Sequence, residues 1–296
     1  TGPWRQAVQH GLLELKRRYQ KPDGLYRASL TDSRAVKEET SKLYDQAFVL
    51  LALASAYRAG ITRDAVLAEA IALVGRLKGA LGHPEGGFRE HETQAFQSNP
   101  HMHLLEAALA WREAAPSPLW TTLSDELAEL ATARFVDPDG GFVREFFDER
   151  WRPVSDQILP GHQFEWAWLL ARHDSTHLPL AERLYAAGAA GVDPIRHAAI
   201  DELSAALTPV RRTARLWPQT ERIRAACLLS TLVPERAEVY RTAAADGCRG
   251  LWRYQEDLPQ GLYRDTQDAA GAFAHEPAPA SSVYHLWGAV AALNEL

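Results

Sequence analysis

Apolar residues recur at intervals of three and four along most of the chain, with polar residues between them. This spacing gives an α-helix one apolar face, whereas the alternation typical of a β-strand is rare here. Ten segments carry the helical pattern: Leu12–Tyr19, Leu43–Tyr57, Ala65–Leu77, His101–Trp111, Leu119–Phe135, His162–Ala171, Pro179–Ala190, Glu221–Leu232, Glu235–Ala245 and Ser282–Leu293. The chain is therefore predicted to be all-α, except that a polar stretch around Thr208 and Pro209 indicates a short β-excursion within 199–216.

A turn signature, in which glycine precedes a large apolar residue, recurs between the predicted helices. It occurs around Gly24, Gly87, Gly141 and Gly261. The first three of these glycines are separated by 63 and then 54 residues, a spacing typical of repeated helical hairpins. We interpret the chain as a toroid or solenoid of helix pairs that no linker divides into separate domains. The alternative is that common glycine–aromatic turns coincide by chance.

Composition limits the classes of function that the chain can have. With 296 residues, 46% of them hydrophobic, it can bury a sizeable core, and a net charge of −6 gives no attraction for nucleic acid. Cys227 and Cys248 have the spacing of neither zinc ligands nor a redox pair, which favours a reducing compartment. No apolar run reaches membrane-spanning length, and residues 1–5 lack a signal-peptide profile. We therefore expect a cytoplasmic protein that binds neither nucleic acid nor a membrane.

The stretch after Pro160 and Gly161 places an acid/base pair at the start of a predicted helix. His162 and Glu165 are three residues apart, so they share one helix face, where the carboxylate can orient or charge the imidazole. The alternative is a capped helix start in which His162 packs against Trp166.

Other helix starts repeat this placement of polar groups. Asn99 and His103 are four apart, as are Trp217 and Glu221, and His285 lies one turn into the last helix. In a barrel of helix pairs the inner helices begin at one end, so these side chains would converge on one cavity. Each also has a structural alternative: core histidines satisfied by backbone carbonyls, a carboxylate against the helix dipole, a core tryptophan and an N-cap asparagine.

Five separated motifs resemble the N-acylglucosamine 2-epimerase superfamily and occur in that family's order. They are Lys42–Leu51, Asn99–Leu105, Pro160–Trp166, Leu216–Glu221 and Ser282–Leu286. The resemblance covers essentially the whole chain and is strongest to the bacterial aldose–ketose isomerases that interconvert mannose and fructose. It implies an (α/α)6 barrel, in which six inner helices surround a sugar pocket, in agreement with the hairpin pattern.

The resemblance also implies roles for individual residues. His162 and His285 match the family's two catalytic histidines. The matched sugar-contacting positions are Tyr44, Asn99, His103, Arg152, Glu165, Trp217 and Glu221. The implied reaction opens the pyranose ring and removes the proton from carbon 2 to give a cis-enediolate. The proton returns to carbon 1 in an isomerase and to the other face of carbon 2 in an epimerase.

We expect His285 to move the proton between carbons 2 and 1, and His162 to assist ring opening and proton transfer to the oxygens. Glu165 and Glu221 would tune the imidazoles or grip hydroxyls. The expected enzyme interconverts mannose and fructose, or lyxose and xylulose, as a monomer or homodimer with no metal and no cofactor. A 2-epimerase for mannose and glucose or for an oligosaccharide end, and a non-catalytic toroid that binds a partner, remain alternatives.

Three departures from the family pattern concern the ends and loops of the chain. Ten helices are one hairpin short of an (α/α)6 barrel, and the only methionine is Met102. We therefore expect a single catalytic domain over residues 1–296 that is incomplete at its N-terminal end, with exposed apolar flanks that reduce its stability. Ser281 and the Ala205–Ala206 pair stand where relatives have a larger polar residue and a glycine turn.

Overall fold

The computed structural model describes residues 2–91 and 96–296. Within them it has ten α-helices: α1 Trp4–Glu14, α2 Leu43–Arg58, α3 Arg63–Leu81, α4 Ser98–Ala114, α5 Pro118–Leu130, α6 Pro160–His173, α7 Leu178–Ala189, α8 Trp217–Leu232, α9 Ala237–Trp252 and α10 Ser282–Asn294. Short π-helical turns extend α1 and α5 over Leu15–Tyr19 and Ala131–Phe135. All ten predicted helices are confirmed.

Some of these helices begin earlier than the apolar pattern indicates. α6 begins at Pro160 and α8 at Trp217, instead of His162 and Glu221. Proline is accommodated in the first turn because the backbone N–H there has no partner within the helix. Pro160 and Pro218 therefore mark the first turns of the two helices and not the loops before them.

Ten short strands form five antiparallel pairs within the described residues. The pairs are β1 Ser29–Leu30 with β2 Val36–Glu38, β3 Phe96–Gln97 with β4 Phe146–Phe147, β5 Val192–Asp193 with β6 Ala198–Ala199, β7 Glu202–Leu203 with β8 Pro209–Arg211, and β9 Ala214–Arg215 with β10 Thr266–Gln267. β6 to β9 lie almost entirely within the segment predicted to make a short β-excursion, which confirms that prediction.

The chain divides into two compact units. The first consists of Thr1–Arg134 and Phe146–Arg152, and in it α2 packs against α3 and α4, and α4 packs against α5. The second consists of Phe135–Glu145 and Pro153–Leu296, and in it α8 packs against α6, α9 and α10. α4, α6 and α8 are buried around most of their surface, whereas α5, α7 and α9 each bury one face. Successive helices thus alternate between fully buried and amphipathic, as helical hairpins require.

α10 differs from the other helices of its unit in how little it buries. Its buried residues are Ser282 and Ala289, whereas Val283, Trp287 and Val290 are exposed. The last helix therefore presents an apolar face to its surroundings within the part of the chain that the structure describes.

Each predicted glycine signature is a turn with a left-handed glycine. Gly24, Gly87, Gly141 and Gly261 have φ angles of 82°, 78°, 65° and 86°. Glycine adopts this region at no steric cost because it lacks a Cβ. The turns return the chain from one helix toward the start of the next.

A glutamine in each of three helices fastens the helix start to the preceding turn segment. We call this arrangement the glutamine clamp, and its pairs are Gln46 with Tyr26, Gln163 with Val143, and Gln219 with Ala199. The side-chain oxygen accepts the backbone N–H of the partner at 2.7–2.8 Å, and the side-chain nitrogen donates to the same residue's C=O at 2.7–3.0 Å. In all three pairs the glutamine follows its partner by 20 positions. The clamp thus provides hydrogen-bond partners for buried backbone groups that would otherwise have none.

His101 takes the place of the glutamine in α4. Its Nε2 accepts the N–H of Phe88 at 2.9 Å, and its Nδ1 donates to the C=O of Gln97 at 2.7 Å. Burial lowers the pKa of His101 to about 4, so the ring is neutral near pH 7 and has one donor and one acceptor. The role of His101 is therefore to hold the backbone.

Replacement of His101 by glutamine is expected to preserve most of the stability, because glutamine makes the same bonds in α2, α6 and α8. Replacement by alanine leaves a buried N–H unpaired and creates a cavity, so we expect a loss of about 2 to 4 kcal/mol. Urea unfolding of both variants measures the difference. If His101→Gln and His101→Ala lost equal amounts of unfolding free energy, glutamine would not be equivalent to histidine at this position.

Candidate active site

His162 forms the first of two histidine–carboxylate pairs in the second compact unit. It lies in the first turn of α6, is 8% exposed, and its Nδ1 is 2.7 Å from Oε2 of Glu145. Glu145 is buried and precedes β4. Leu159 occupies the N-cap of α6, and among the described residues no side chain caps this helix start. The contact of His162 is therefore with a carboxylate 17 residues earlier in the chain.

His285 forms the second pair. It lies in the first turn of α10, and its Nδ1 is 2.8 Å from Oε1 of Glu221, a fully buried residue of α8. The other oxygen of this carboxylate, Oε2, accepts a hydrogen bond from Nη1 of Arg224 at 2.8 Å. The two carboxylate oxygens thus serve two different partners.

Trp217 contacts both histidines. Its ring centroid is 5.2 Å from that of His162 and 5.5 Å from that of His285, with interplanar angles of 38° and 36°. Gly161 makes this approach possible, because a Cβ at that position would overlap ring atoms of Trp217. The three helices α6, α8 and α10 therefore bring two imidazoles to one indole.

The two carboxylate contacts determine which imidazole nitrogen donates a hydrogen bond. An ionised carboxylate only accepts hydrogen bonds, so beside one each imidazole would donate from Nδ1 and, in its neutral form, would carry its lone pair on Nε2. The side chain of His285 is 12% exposed and that of His162 is 10% exposed, so each is largely shielded from water yet accessible. Two oriented bases beside an aromatic surface are suited to the removal and return of a proton on a bound carbon acid.

Four of the residues predicted to contact substrate lie in the first compact unit. Tyr44 and His103 meet edge to face with ring centroids 5.0 Å apart, and Phe48 contacts both rings at 4.9 and 4.6 Å. His103 is buried, and its Nδ1 is 3.7 Å from Oε2 of Glu106. The structure therefore groups Tyr44 with His103 in an aromatic cluster.

The remaining predicted residues are Arg152, Asn99 and Glu165. Arg152 is exposed and pairs with Asp148, its Nη2 lying 2.6 Å from Oδ2. Asn99 is the second residue of α4 and not its N-cap. Glu165 is buried on α6, one turn after His162 and within the second unit.

Comparison with known proteins identifies the family of the chain. The family model for N-acylglucosamine 2-epimerase (GlcNAc 2-epimerase) matches residues 1–289. The chain belongs to this family.

Two curated relatives of this N-acylglucosamine 2-epimerase family member have names that describe sugar isomerases. The chain is 37% identical over 310 residues to "Mannose-6-phosphate isomerase" of Rhizobium meliloti (strain 1021), covering 99% of this chain and 80% of the relative. It is 31% identical over 294 residues to "D-mannose isomerase" of Thermobifida fusca, covering 84% of this chain and 71% of the relative. Membership of the family supports an enzyme that is a sugar isomerase or epimerase.

Two solved structures share the fold of this chain. A crystal structure of D-mannose isomerase is similar with a TM-score of 0.88 at 21% identity, covering 99% of this chain and 81% of that one. Cellobiose 2-epimerase from Spirochaeta thermophila DSM 6192 is similar with a TM-score of 0.85 at 18% identity, covering 98% and 80%. These likenesses confirm the predicted all-α fold of the (α/α)6-barrel class. No helix within residues 2–91 and 96–296 combines the length and apolarity needed to cross a membrane.

Glu145 is a candidate site residue of this epimerase-family chain to which the helical pattern does not point. A repeated signal does exist in the sequence, because a carboxylate stands two residues after several clamped backbone positions. The instances are Glu90 after Phe88, Glu145 after Val143, and Asp201 after Ala199. Residues two apart on an extended chain point to the same side. Once Gln163 holds Val143, Glu145 is therefore brought next to His162.

Glu90 uses the same position to support the start of α2. Its backbone C=O accepts the N–H of Leu43 at 2.8 Å, and its Oε2 accepts the N–H of Tyr44 at 3.3 Å. Burial raises the pKa of Glu90 to about 7, and the nearby Asp45, whose own pKa burial raises to about 6, adds to the effect. The folded chain therefore binds a proton at Glu90 that the unfolded chain releases at lower pH.

Replacement of Glu90 by glutamine is expected to stabilise the protein at pH 8 and to have little effect at pH 4.5. The folded-state pKa is raised, so the stability contributed by the protonated group is complete below the unfolded pKa and is lost as the pH rises through about 7. The difference in unfolding free energy between variant and wild type should grow by about 2 to 3 kcal/mol across this window. Urea unfolding at both pH values tests it, with the exposed Glu129→Gln as control. A pH-independent difference would contradict the assignment.

Proposed function

We propose that the protein interconverts D-mannose and D-fructose, with D-lyxose and D-xylulose as the corresponding pentose pair. The observation that carries the proposal is the pair of histidine–carboxylate dyads, His162–Glu145 and His285–Glu221, in contact with one indole. The family membership and the names of the two curated relatives support the same class of reaction.

In the proposed mechanism, His162 assists ring opening by moving protons between the ring oxygen and the anomeric hydroxyl. Nε2 of His285 then takes the proton from carbon 2 of the open aldose, giving a cis-enediolate. The same nitrogen delivers the proton to carbon 1, while His162 assists transfer of the hydroxyl proton from oxygen 2 to oxygen 1, so that the double bond becomes the carbonyl at carbon 2. The ionised partners Glu145 and Glu221 stabilise the imidazolium forms that arise in these steps.

Trp217 contributes a flat apolar surface beside both bases. A sugar presents C–H groups on one face of its ring or chain, and an aromatic side chain packs against such a face. Contact with Trp217 would therefore hold carbon 2 within reach of the imidazoles. Tyr44, Asn99, His103, Arg152 and Glu165 are proposed as further contacts to the hydroxyls, on the strength of the family resemblance.

A 2-epimerase of the same fold is the second candidate, favoured by the solved cellobiose 2-epimerase that shares the fold. It differs only in the last step, because the proton returns to the opposite face of carbon 2. Two bases in contact with one indole are compatible with either outcome.

Incubation with D-mannose in deuterated water, read by NMR, distinguishes the candidates. Formation of fructose, with any label at carbon 1, supports the isomerase, glucose labelled at carbon 2 supports the epimerase, and absence of both product and exchange supports a non-catalytic binding protein. Parallel incubation with mannose 6-phosphate tests the substrate named for one relative. Turnover of the phosphate ester alone would overturn the proposal of a free-sugar isomerase.

A further inference from the structure

Arg224 is a buried arginine attached to the Glu221–His285 dyad. It is 5% exposed, and its Nη1 donates to Oε2 of Glu221 at 2.8 Å. Nδ1 of His285 lies 2.8 Å from the other oxygen of the same carboxylate. Glu221 therefore connects a permanent cation to the imidazole.

The guanidinium of Arg224, on α8, packs between residues of α6 and α10. Its Cζ lies 3.9 Å from the ring centroid of Trp168 on α6, a cation–π distance. Gly288 on α10 leaves space for it, because a Cβ there would lie 2.9 Å from Nε of Arg224. A side chain at position 288 would displace the guanidinium from this position.

Within the described residues, several charged or titratable groups lie in the network of contacts around His285. These are Glu221 and Arg224 on α8, Tyr284 beside it on α10, Arg172 on α6 at 4.4 Å from the Trp168 ring, and Asp265, which accepts the hydroxyl of Ser282 at 3.0 Å in the first turn of α10. Among these described residues, Glu221 alone is hydrogen-bonded to His285. The protonation state of this carboxylate therefore decides how the imidazole is bound.

We propose that Arg224 is a positioning residue that keeps Glu221 ionised and thereby fixes the tautomer of His285. Glu221 is fully buried, and burial favours the neutral acid over the carboxylate. A neutral carboxyl group can donate its O–H to Nδ1, which leaves the ring proton on Nε2 and removes the lone pair that the reaction uses. A hydrogen-bonded guanidinium favours the ionised form, which obliges Nδ1 to donate and leaves Nε2 free. The catalytic consequence rests on the proposed function, whereas the tautomer itself does not.

The pH profile of activity tests the proposal through Arg224→Met and Arg224→Lys. In the methionine variant, Glu221 loses its proton only at higher pH, so the acidic limb of kcat/KM should move upward by about 1 pH unit or more. In Arg224→Lys, which restores the cation, the acidic limb should lie between those of wild type and Arg224→Met. Arg222→Met is the matched control, because Arg222 is also buried on α8 but pairs with Asp246 at 2.8 Å. A lower activity with an unmoved limb, or an equal shift in the control, would overturn the proposal.

Nitrogen-15 NMR of labelled histidine gives a reading that does not depend on turnover. The resonances of His285 are assigned by their loss in His285→Asn. We expect wild type to carry its proton on Nδ1 near pH 7 and Arg224→Met to carry it on Nε2. An Nε2-protonated ring in wild type would overturn the proposal even if the variants fail to fold. An inactive wild type with the expected tautomer would instead count against the proposed reaction and leave the role of Arg224 standing.

Discussion

Replacement of His285 by asparagine is expected to lower kcat for mannose isomerisation by about 10²- to 10⁴-fold. Asparagine keeps a polar group that can bond to Glu221 but has no basic nitrogen for carbon 2. A positioned general base contributes an acceleration of this size. Steady-state kinetics and exchange of the carbon 2 proton into deuterated water should fall together, whereas KM should change less.

His275→Asn supplies the matched control for this experiment. His275 is exposed in the segment between β10 and α10, and nothing in the proposed mechanism uses it. Full turnover by His285→Asn or His285→Ala would refute His285 as the base. If exchange at carbon 2 were lost in His162→Asn but kept in His285→Asn, the base that removes the carbon 2 proton would be His162.

Replacement of Glu145 by glutamine is expected to lower kcat by about 10²-fold or more. The amide is nearly isosteric with the carboxylate, so the contact with Nδ1 of His162 can persist at a similar distance. An amide N–H, however, can donate to Nδ1 and shift the imidazole proton to Nε2, and it does not stabilise the imidazolium. The loss should therefore appear in kcat with little change in the unfolding free energy.

Glu145→Asp and Glu182→Gln separate the possible causes of such a loss. The aspartate keeps the charge but shortens the reach, so partial activity is expected. Glu182 accepts hydrogen bonds from Arg236 and Tyr240, which the proposed mechanism does not use, and its replacement should leave kcat unchanged. Wild-type kcat in Glu145→Gln would show that this carboxylate does not set the state of His162.

The helices of this fold could be predicted from the sequence because their information is local. Apolar spacing defines α2 to α10 within each segment, and the glycines at 24, 87 and 141 define turns through their own conformational freedom. The starts of the helices were less predictable from the apolar pattern. For α8 the pattern indicates a start at Glu221, whereas the helix begins at Trp217. Tertiary contacts and the tolerance of Pro218 in the first turn decide that boundary.

The carboxylate partners show the limit of local reasoning. Glu221 is predictable because it follows Trp217 by one helical turn. Glu145 is 17 residues from His162, in a segment with no helical pattern, and it reaches the imidazole because Gln163 holds the backbone of Val143. In the sequence, nothing distinguishes Arg224 from other polar residues of α8. Its contacts with Trp168 and Gly288 come from other helices. Such pairings depend on contacts between elements, which the apolar pattern does not encode.

The glutamine clamp stands in a fixed register with the position two residues after it. In α6 and α8 the clamp residue is followed two positions later by Glu165 and Glu221, in α4, where His101 replaces the glutamine, by His103 and in α2 by Phe48. Four helix starts of one chain thus combine the same backbone anchor with three different residue types. A substitution at the later position therefore leaves the hydrogen bonds of the anchor in place, so the residue offered there can be varied without removing the contact that fixes the helix start.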